Sequence, residues 1–194
     1  MERKLELRMY GFVPYNISEI QKAIQFGHSV VEYGQMAKHN LNKTTIGELY
    51  DDWADNWKTF IILNGGTSNH VDAEYTGSME SILEELKTNN VTLSTFNEPD
   101  LNDMLSAITF IIDERVFNRK DYPDFGDWVM VNHFSYLRDN MINSGKIEKM
   151  RKEGYFIGGN DRERKIYSDW TDFVGGEKNV FLRDFLNPNK VKLA

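Results

Sequence analysis

The chain has 194 residues, 40% of them hydrophobic and 27% charged, with a formal net charge of -7. That length suits one globular domain with an elaboration and a sizeable core, and no apolar run approaches the ~20 residues needed to span a bilayer. The absence of cysteine excludes disulfides, thiolate metal sites and cysteine nucleophiles, while the acidic balance opposes non-specific nucleic-acid binding, which needs cations to neutralise phosphates.

The N-terminal stretch MERKLELRMYGF alternates charged and apolar residues. It reads as a strand over residues 4–13 rather than a signal peptide, and a cytoplasmic location is expected. Pro14 ends the strand because proline has no backbone donor. Asn16 followed by Glu19 has capping-box spacing and predicts a helix running to about His39. Along it, Gln21, Gln25, His28 and Glu32 recur at intervals of four, three and four, so they share one face. Ile17, Ile20, Ile24, Gly27 and Val31 form a parallel apolar series, expected to be the side that the helix buries.

Thr45 and Glu48 repeat the capping spacing and predict a short helix in IGELYDDWADN. KTFIIL, residues 58–63, is a compact β-branched run that reads as a strand buried on both faces, ended by Asn64-Gly65-Gly66. The polar loop of residues 64–77 is long enough to expect a role. A helix returns at Ser78 with Met79, Ile82, Leu83 and Leu86 on one stripe. It is followed by the strand VTLSTF, the turn NEPDLND and a strand around LSAITFII. This alternation predicts an α/β sheet with helices on its faces, the last two strands pairing antiparallel across their short connector. After Asp113 the texture changes. Residues 114–194 give helical readings at about 125–142, 145–153, 163–174 and 177–187, and read as a helical extension packed on a domain of residues 1–113.

Several groups could carry chemistry. Gln25 and Glu32 lie within one turn of His28 and could orient or charge it, although hydrogen bonding to water on a helix surface is an equally simple account. Gln21 and Lys22 sit in the first turns, where the helix dipole is positive. Glu98, Asp100 and Asp103 follow a strand, where ligands of α/β sheets bind, but Asp, Asn and Pro are equally the usual turn residues. Asn64, Gly65, Gly66, Thr67 and Ser68 could offer backbone donors to a phosphate, without the lysine or spacing of a P-loop. His39, His70 and His133 are scattered, so neither a metal nor a cofactor is expected. Lys146, Lys149 and Lys152, and Arg162, Arg164 and Lys165, form local basic clusters. Their interleaving with Glu148, Glu153 and Glu163 favours a solvated face over a nucleic-acid contact.

Taken together, the stretch AIQFGHS with Gln25 and His28, the strand KTFIIL, the helix near Ser78 to Lys87, the strand VTLSTF, the turn NEPD and the strand LSAITFII resemble the type 2 peptidyl-tRNA hydrolase family over about residues 5–113. The resemblance implies a mixed four-stranded sheet sandwiched by helices, followed here by the C-terminal helical extension. The chemistry it implies is hydrolysis of the ester joining a peptide to the 3′ end of tRNA. Where the family has a turn acid this chain has Glu98. The family's helix lysine falls on Gln21 with Lys22 beside it, its turn threonine on Asn102, and a later Ser/Thr position near Ser106. On that basis His28, Glu98 and Lys22 are the expected catalytic groups, and Gln21, Gln25, Asp100 and Asn102 the expected substrate contacts. The segments EPDLND and VGGEKNVFLRDFL are similar to phrases in uncharacterised bacterial and phage relatives of the family.

Two other functions fit the same residues. One is a noncatalytic protein- or RNA-interaction module that grips its partner through exposed Trp128, Tyr136 or Trp170. The other is a nucleotide or phosphoester enzyme using the Asn64–Ser68 loop. The expected partners are thus tRNA, aminoacyl-tRNA or a protein, with no membrane, and a homodimer is compatible with each.

Overall fold

The computed structural model describes residues 4–39, 46–70, 74–139, 145–148 and 161–194. They divide into two compact units, the first Met1–Glu114 with Phe185–Ala194, the second Arg115–Asp184. The first unit is an α/β fold. Strand β1 (Leu7–Val13) leads into helix α1 (Glu19–His39), then α2 (Ile46–Asp52), a π-helical turn and strand β2 (Thr59–Asn64). Helix α3 (Ser78–Thr88), strand β3 (Leu93–Glu98), a 3-10 turn at Pro99–Leu101 and strand β4 (Met104–Asp113) complete the layer. Thr45 lies outside the described residues.

The sheet is mixed, in the order β2-β1-β4-β3. β1 and β2 run parallel, as a helical crossover requires, whereas β4 is antiparallel to both β1 and β3. The doubly buried strand is β4, where every residue from Met104 to Ile112 is buried. KTFIIL, expected in that role, forms the edge strand β2 and is largely half-exposed, with Phe60 at 46%. An apolar β-branched run reports strand conformation, but place in the sheet depends on which strand is inserted beside it. Here β4 takes the central place.

On β1, Leu7, Met9 and Val13 join Phe26 and Tyr33 of α1 in one apolar cluster, with Trp53 from the π-helical turn and Ala107 and Ile111 from β4. Phe12 points the other way, stacked on Phe110 at 6.3 Å and edge-on to Phe185 at 5.8 Å. Within the first cluster Tyr33 is fully buried, yet its hydroxyl has no hydrogen-bond partner among the described residues. Burial pushes its phenol pKa far up. Tyr33→Phe removes an unsatisfied polar group while keeping the ring stacked on Tyr50. It is therefore expected to leave stability unchanged or raise it by about 0.5–1 kcal/mol; a clearly lowered melting temperature would refute this.

α1 buries Gln25, Phe26, Ser29, Tyr33, Gly34 and Ala37. Ile20 (74% exposed), Ile24 (48%) and Val31 (59%) face outward. The apolar series expected to be inside is thus the outer face. The helix start also differs. Ser18 accepts from the Gln21 backbone N–H at 3.3 Å, and the Gln21 side chain accepts from the Ser18 backbone N–H at 3.1 Å. Ser18 and Gln21 therefore form the capping box. Asn16 instead donates its side-chain amide to the Ser68 carbonyl at 3.2 Å, anchoring the following loop.

The second unit is helical, with α4 (Glu114–Phe117) at its boundary, α5 (Phe125–Asn132), α6 (Phe134–Asp139), α7 (Asp161–Phe173) and α8 (Glu177–Phe185). His133 divides the helix expected over 125–142 into α5 and α6. Its core gathers Phe125, Val129, Tyr136, Leu137, Ile147, Ile166, Tyr167, Trp170 and Val174. Residues 185–194, expected to belong to the helical extension, join the sheet unit instead, because Leu193 forms an antiparallel bridge with Leu63 of β2.

Candidate functional site

The candidate residues converge where α1 crosses β3 and β4. Alternation along β3 turns Ser94, Phe96 and Glu98 toward α1. On β4 the register against β3 shifts, with Phe96 opposite Ala107 and Asn97 opposite Leu105, so Ser106 is the extra, bulged residue. A bulge re-aims a side chain, and here it delivers Ser106, fully buried, to the helix.

Gln25 joins these pieces. Its amide nitrogen donates to the Glu98 carboxylate, and its amide oxygen accepts from the Ser106 hydroxyl at 3.0 Å. Gln25 is only 4% exposed, so a fixed amide orientation follows from its burial between two partners. Glu98 is half-buried, and its other oxygen accepts from the Asp100 backbone N–H at 3.3 Å, capping the 3-10 turn. One turn further along α1, exposed His28 lays its ring edge-on against Phe96, with centroids 4.4 Å apart. His28 and Glu98 thus flank the same helix–strand seam, two residues apart in their contacts on β3.

Deeper in the seam, Ser29, Ser94 and Thr109 form a buried hydroxyl cluster. Ser94 Oγ lies 2.8 Å and Ser29 Oγ 3.0 Å from Thr109 Oγ1, and Ser94 donates to the Ser29 carbonyl at 2.6 Å. Sequence reasoning missed these three. The available signal was the i, i+4 pair Gln25 and Ser29 on the helix, which places two polar residues on one face.

Other candidates sit elsewhere. Gln21 is exposed and engaged in the cap. Lys22, three residues before Gln25 and so on its face, has a side chain only 12% exposed that pairs with Glu19 at 2.7 Å. Asp100 is exposed, whereas Asn102 adopts a left-handed conformation with φ 55° and closes the 3-10 turn. The Asn64–Ser68 loop makes no anion cradle. Gly65 N–H donates to the Val13 carbonyl, Gly66 N–H to Asn64 Oδ1 and Thr67 N–H to Ser78 Oγ, each at 2.8 Å. These donors are already used within the fold. A cleft of about 240 Å³ opens between α3 and the β3–β4 turn, lined by His70, Glu80, Asn97 and Asp103 among others. Asp103 of the turn lines it, whereas Gln25, His28 and Glu98 do not.

The basic clusters are engaged too. Arg162 lies over the Tyr136 ring, Arg164 pairs with Asp161, Lys165 with Asp169 and Lys146 with Glu163. Lys149 and Lys152 lie outside the described residues. Among the described residues no group of three or more His, Asp or Glu side chains could hold a metal ion, and no helix is long and apolar enough to cross a membrane.

No family model matches the chain, and no curated protein matches it.

Proposed function

We propose that the α1–β3 seam is a hydrolytic site for the ester of peptidyl- or aminoacyl-tRNA, on a fold of the type 2 peptidyl-tRNA hydrolase kind. The observation that carries this reading is the hydrogen bond between Gln25, from the helix motif, and Glu98, from the turn after β3. It couples the two segments on which the family resemblance rests. The mixed four-stranded sheet and the order of elements support the same reading.

In this reading Glu98, held by Gln25, positions the attacking water, and His28 across the seam takes up its proton and returns it to the tRNA 3′ oxygen as the bond between that oxygen and the acyl carbon breaks. Lys22 shares the face of Gln25, and its ammonium, released from Glu19, offsets the charge that develops on the carbonyl oxygen of the ester. The acidic balance of the chain confines RNA contact to the acceptor end, since phosphate affinity scales with the cations available. Purified protein should release an N-blocked amino acid from tRNA. Glu98→Gln and His28→Ala should each slow that release about 10²-fold. A wild type without activity, or variants at the wild-type rate, would refute the reading.

One observation favours a second reading, a noncatalytic interaction module. Its gripping surface is not Trp128, Tyr136 or Trp170, because Tyr136 and Trp170 are buried and Trp128 packs on the core of the second unit. The exposed Ile20, Ile24 and Val31 on α1 supply an apolar surface instead. Under this reading Ile24→Glu abolishes capture of a protein partner while ester release is absent from wild type as well. Release by wild type, or capture unaffected by Ile24→Glu, counts against it.

A further inference from the structure

β2 is an edge strand whose sequence Phe60-Ile61-Ile62-Leu63 is apolar, uncharged and strongly β-forming. An edge of that kind is a template for pairing with another strand, and natural sheets blunt such edges with short strands and lysines. Here the blunting comes from the chain's own C-terminal segment. Asn64 N–H donates to the Lys192 carbonyl at 2.9 Å, and Ala194 N–H donates to the Ile62 carbonyl at 3.1 Å, with Leu193 opposite Leu63. Lys190 and Lys192 flank the contact.

The segment is lightly held. Leu193 remains 73% exposed, so apolar burial contributes little beyond those backbone bonds. It is aimed by a compact turn in which the Asn187 carbonyl accepts from Lys190 N–H at 2.7 Å and Val191 N–H at 3.1 Å. Asn187 Oδ1 also accepts from Asn189 N–H at 2.9 Å. Pro188 within this turn fixes one backbone angle.

We propose that residues Val191–Ala194 are a detachable strap over the outer edge of β2, and that its release lets two copies of this chain pair β2 against β2. The bonds to the strap identify Ile62 and Asn64 as outward-facing, and alternation adds Phe60. Antiparallel pairing about a two-fold axis at Ile62 sets Phe60 of each copy opposite Asn64 of the other, so all three outward residues meet as hydrogen-bonded pairs. The same surface serves both copies, and the lysine-bearing strap no longer stands in the way. The occupant is thus a second copy, because β2 is self-complementary in this register and carries no charge along the paired length.

The test is sedimentation velocity over a concentration series, on the full chain, on a chain ending at Lys190, and on full-length Ala194→Pro, which deletes the N–H bonded to Ile62. Hydrogen exchange on β2 accompanies it. The full chain should sediment as a monomer, while both variants self-associate at least tenfold more tightly and protect the Phe60, Ile62 and Asn64 amides as concentration rises. Circular dichroism checks that each variant is folded; if the shortened chain is not, Ala194→Pro decides. Monomeric variants, association to the same degree in the full chain, or association without protection of those amides overturns the proposal. An extended peptide that protects the β2 amides of a monomeric variant would overturn it as well, by making a foreign segment the occupant.

Discussion

Gly11→Val is expected to destabilise the sheet unit by about 3 kcal/mol and to disorder the α1–β3 seam with it. Gly11 lies in β1 between two hydrogen-bonded neighbours, paired with Ile62 on one side and Thr109 on the other. A Cβ at this position would lie 2.8 Å from the Ile108 backbone oxygen and overlap the edge of the Phe26 ring. The ring is hemmed in, since Phe26 is 4% exposed and meets Phe60 edge-on at 5.3 Å, with Trp53 behind Phe60 at 5.2 Å. The strand backbone cannot retreat without breaking its ladders, so the helix must lift. Overpacking of a close-packed core costs ~1–3 kcal/mol, and a clash with backbone falls at the upper end. Phe26 immediately follows Gln25, so lifting α1 also draws the amide away from Glu98. Urea denaturation measures the first effect, and adding Phe26→Ala should recover part of it, because the two positions are in contact. If Gly11→Val melts as wild type does, α1 does not sit on β1 as described.

That close approach bears on what the sequence could and could not convey. The strands of the sheet, the helices between them and their order were legible, because periodicity and turn residues are local signals. The antiparallel pairing of β3 with β4 was legible too, from the short connector between them. The inward face of α1 was not. Two stripes compete on that helix, Ile20-Ile24-Gly27-Val31 and Phe26-Ser29-Tyr33-Ala37, and hydrophobicity alone selects the first. The second is the buried one, because small Ser29, Gly34 and Ala37 allow close packing while the hydroxyl of Ser29 is satisfied by Ser94 and Thr109. Hydrogen-bond partners from remote strands lift the usual cost of burying polar groups, and a single helix carries no record of them.

The candidate site divides along the same line. Gln25 and Glu98 stood out as residues of a motif and of a turn, yet their contact spans 73 positions of sequence and needed the sheet to form. Ser106 is brought in by a bulge without glycine, which leaves no local mark. The choice between Gln21 and Lys22 turned on the helix cap: overlapping capping patterns begin at Asn16 and at Ser18, and taking Ser18 engages Gln21 in the box. Helical spacing puts both Gln21 and Lys22 near the face of Gln25, and the cap leaves only the Lys22 side chain free of Ser18. The strap on β2 was beyond reach, since a single bridge at Leu193 has too little length for any periodicity.

Arg183→Ala is expected to cost the helical unit about 3 kcal/mol, a disproportionate effect for one charged residue. Arg183 is 3% exposed. Its guanidinium donates to the Arg115 carbonyl, to the Tyr122 carbonyl at 2.8 Å and to Asp124 at 2.7 Å, and lies 5.9 Å from the centre of the Trp170 ring. Arg119 reinforces the arrangement, pairing with Asp124 at 2.8 Å and donating to the Arg183 carbonyl at 2.7 Å. Burial, and after it the nearby Arg119 charge, lowers the pKa of Arg183, with Asp124 opposing. The side chain stays charged at neutral pH because an arginine starts so high. Truncation leaves two backbone carbonyls without their donor and Asp124 without its closest cation. Removing one partner of a buried charged pair costs ~3–5 kcal/mol, and the 56% exposure of the Asp124 side chain places this case at the lower end. Arg183→Lys retains the charge but loses the planar fork that reaches three acceptors at once, so it should recover only part of the loss. Chemical denaturation gives the magnitude, and hydrogen exchange shows its place: amides of α7 and α8 should exchange faster in Arg183→Ala. Unchanged exchange there, or full recovery by lysine, would mean that the carbonyls of Arg115 and Tyr122 find other donors and that the fork is not what holds these segments together.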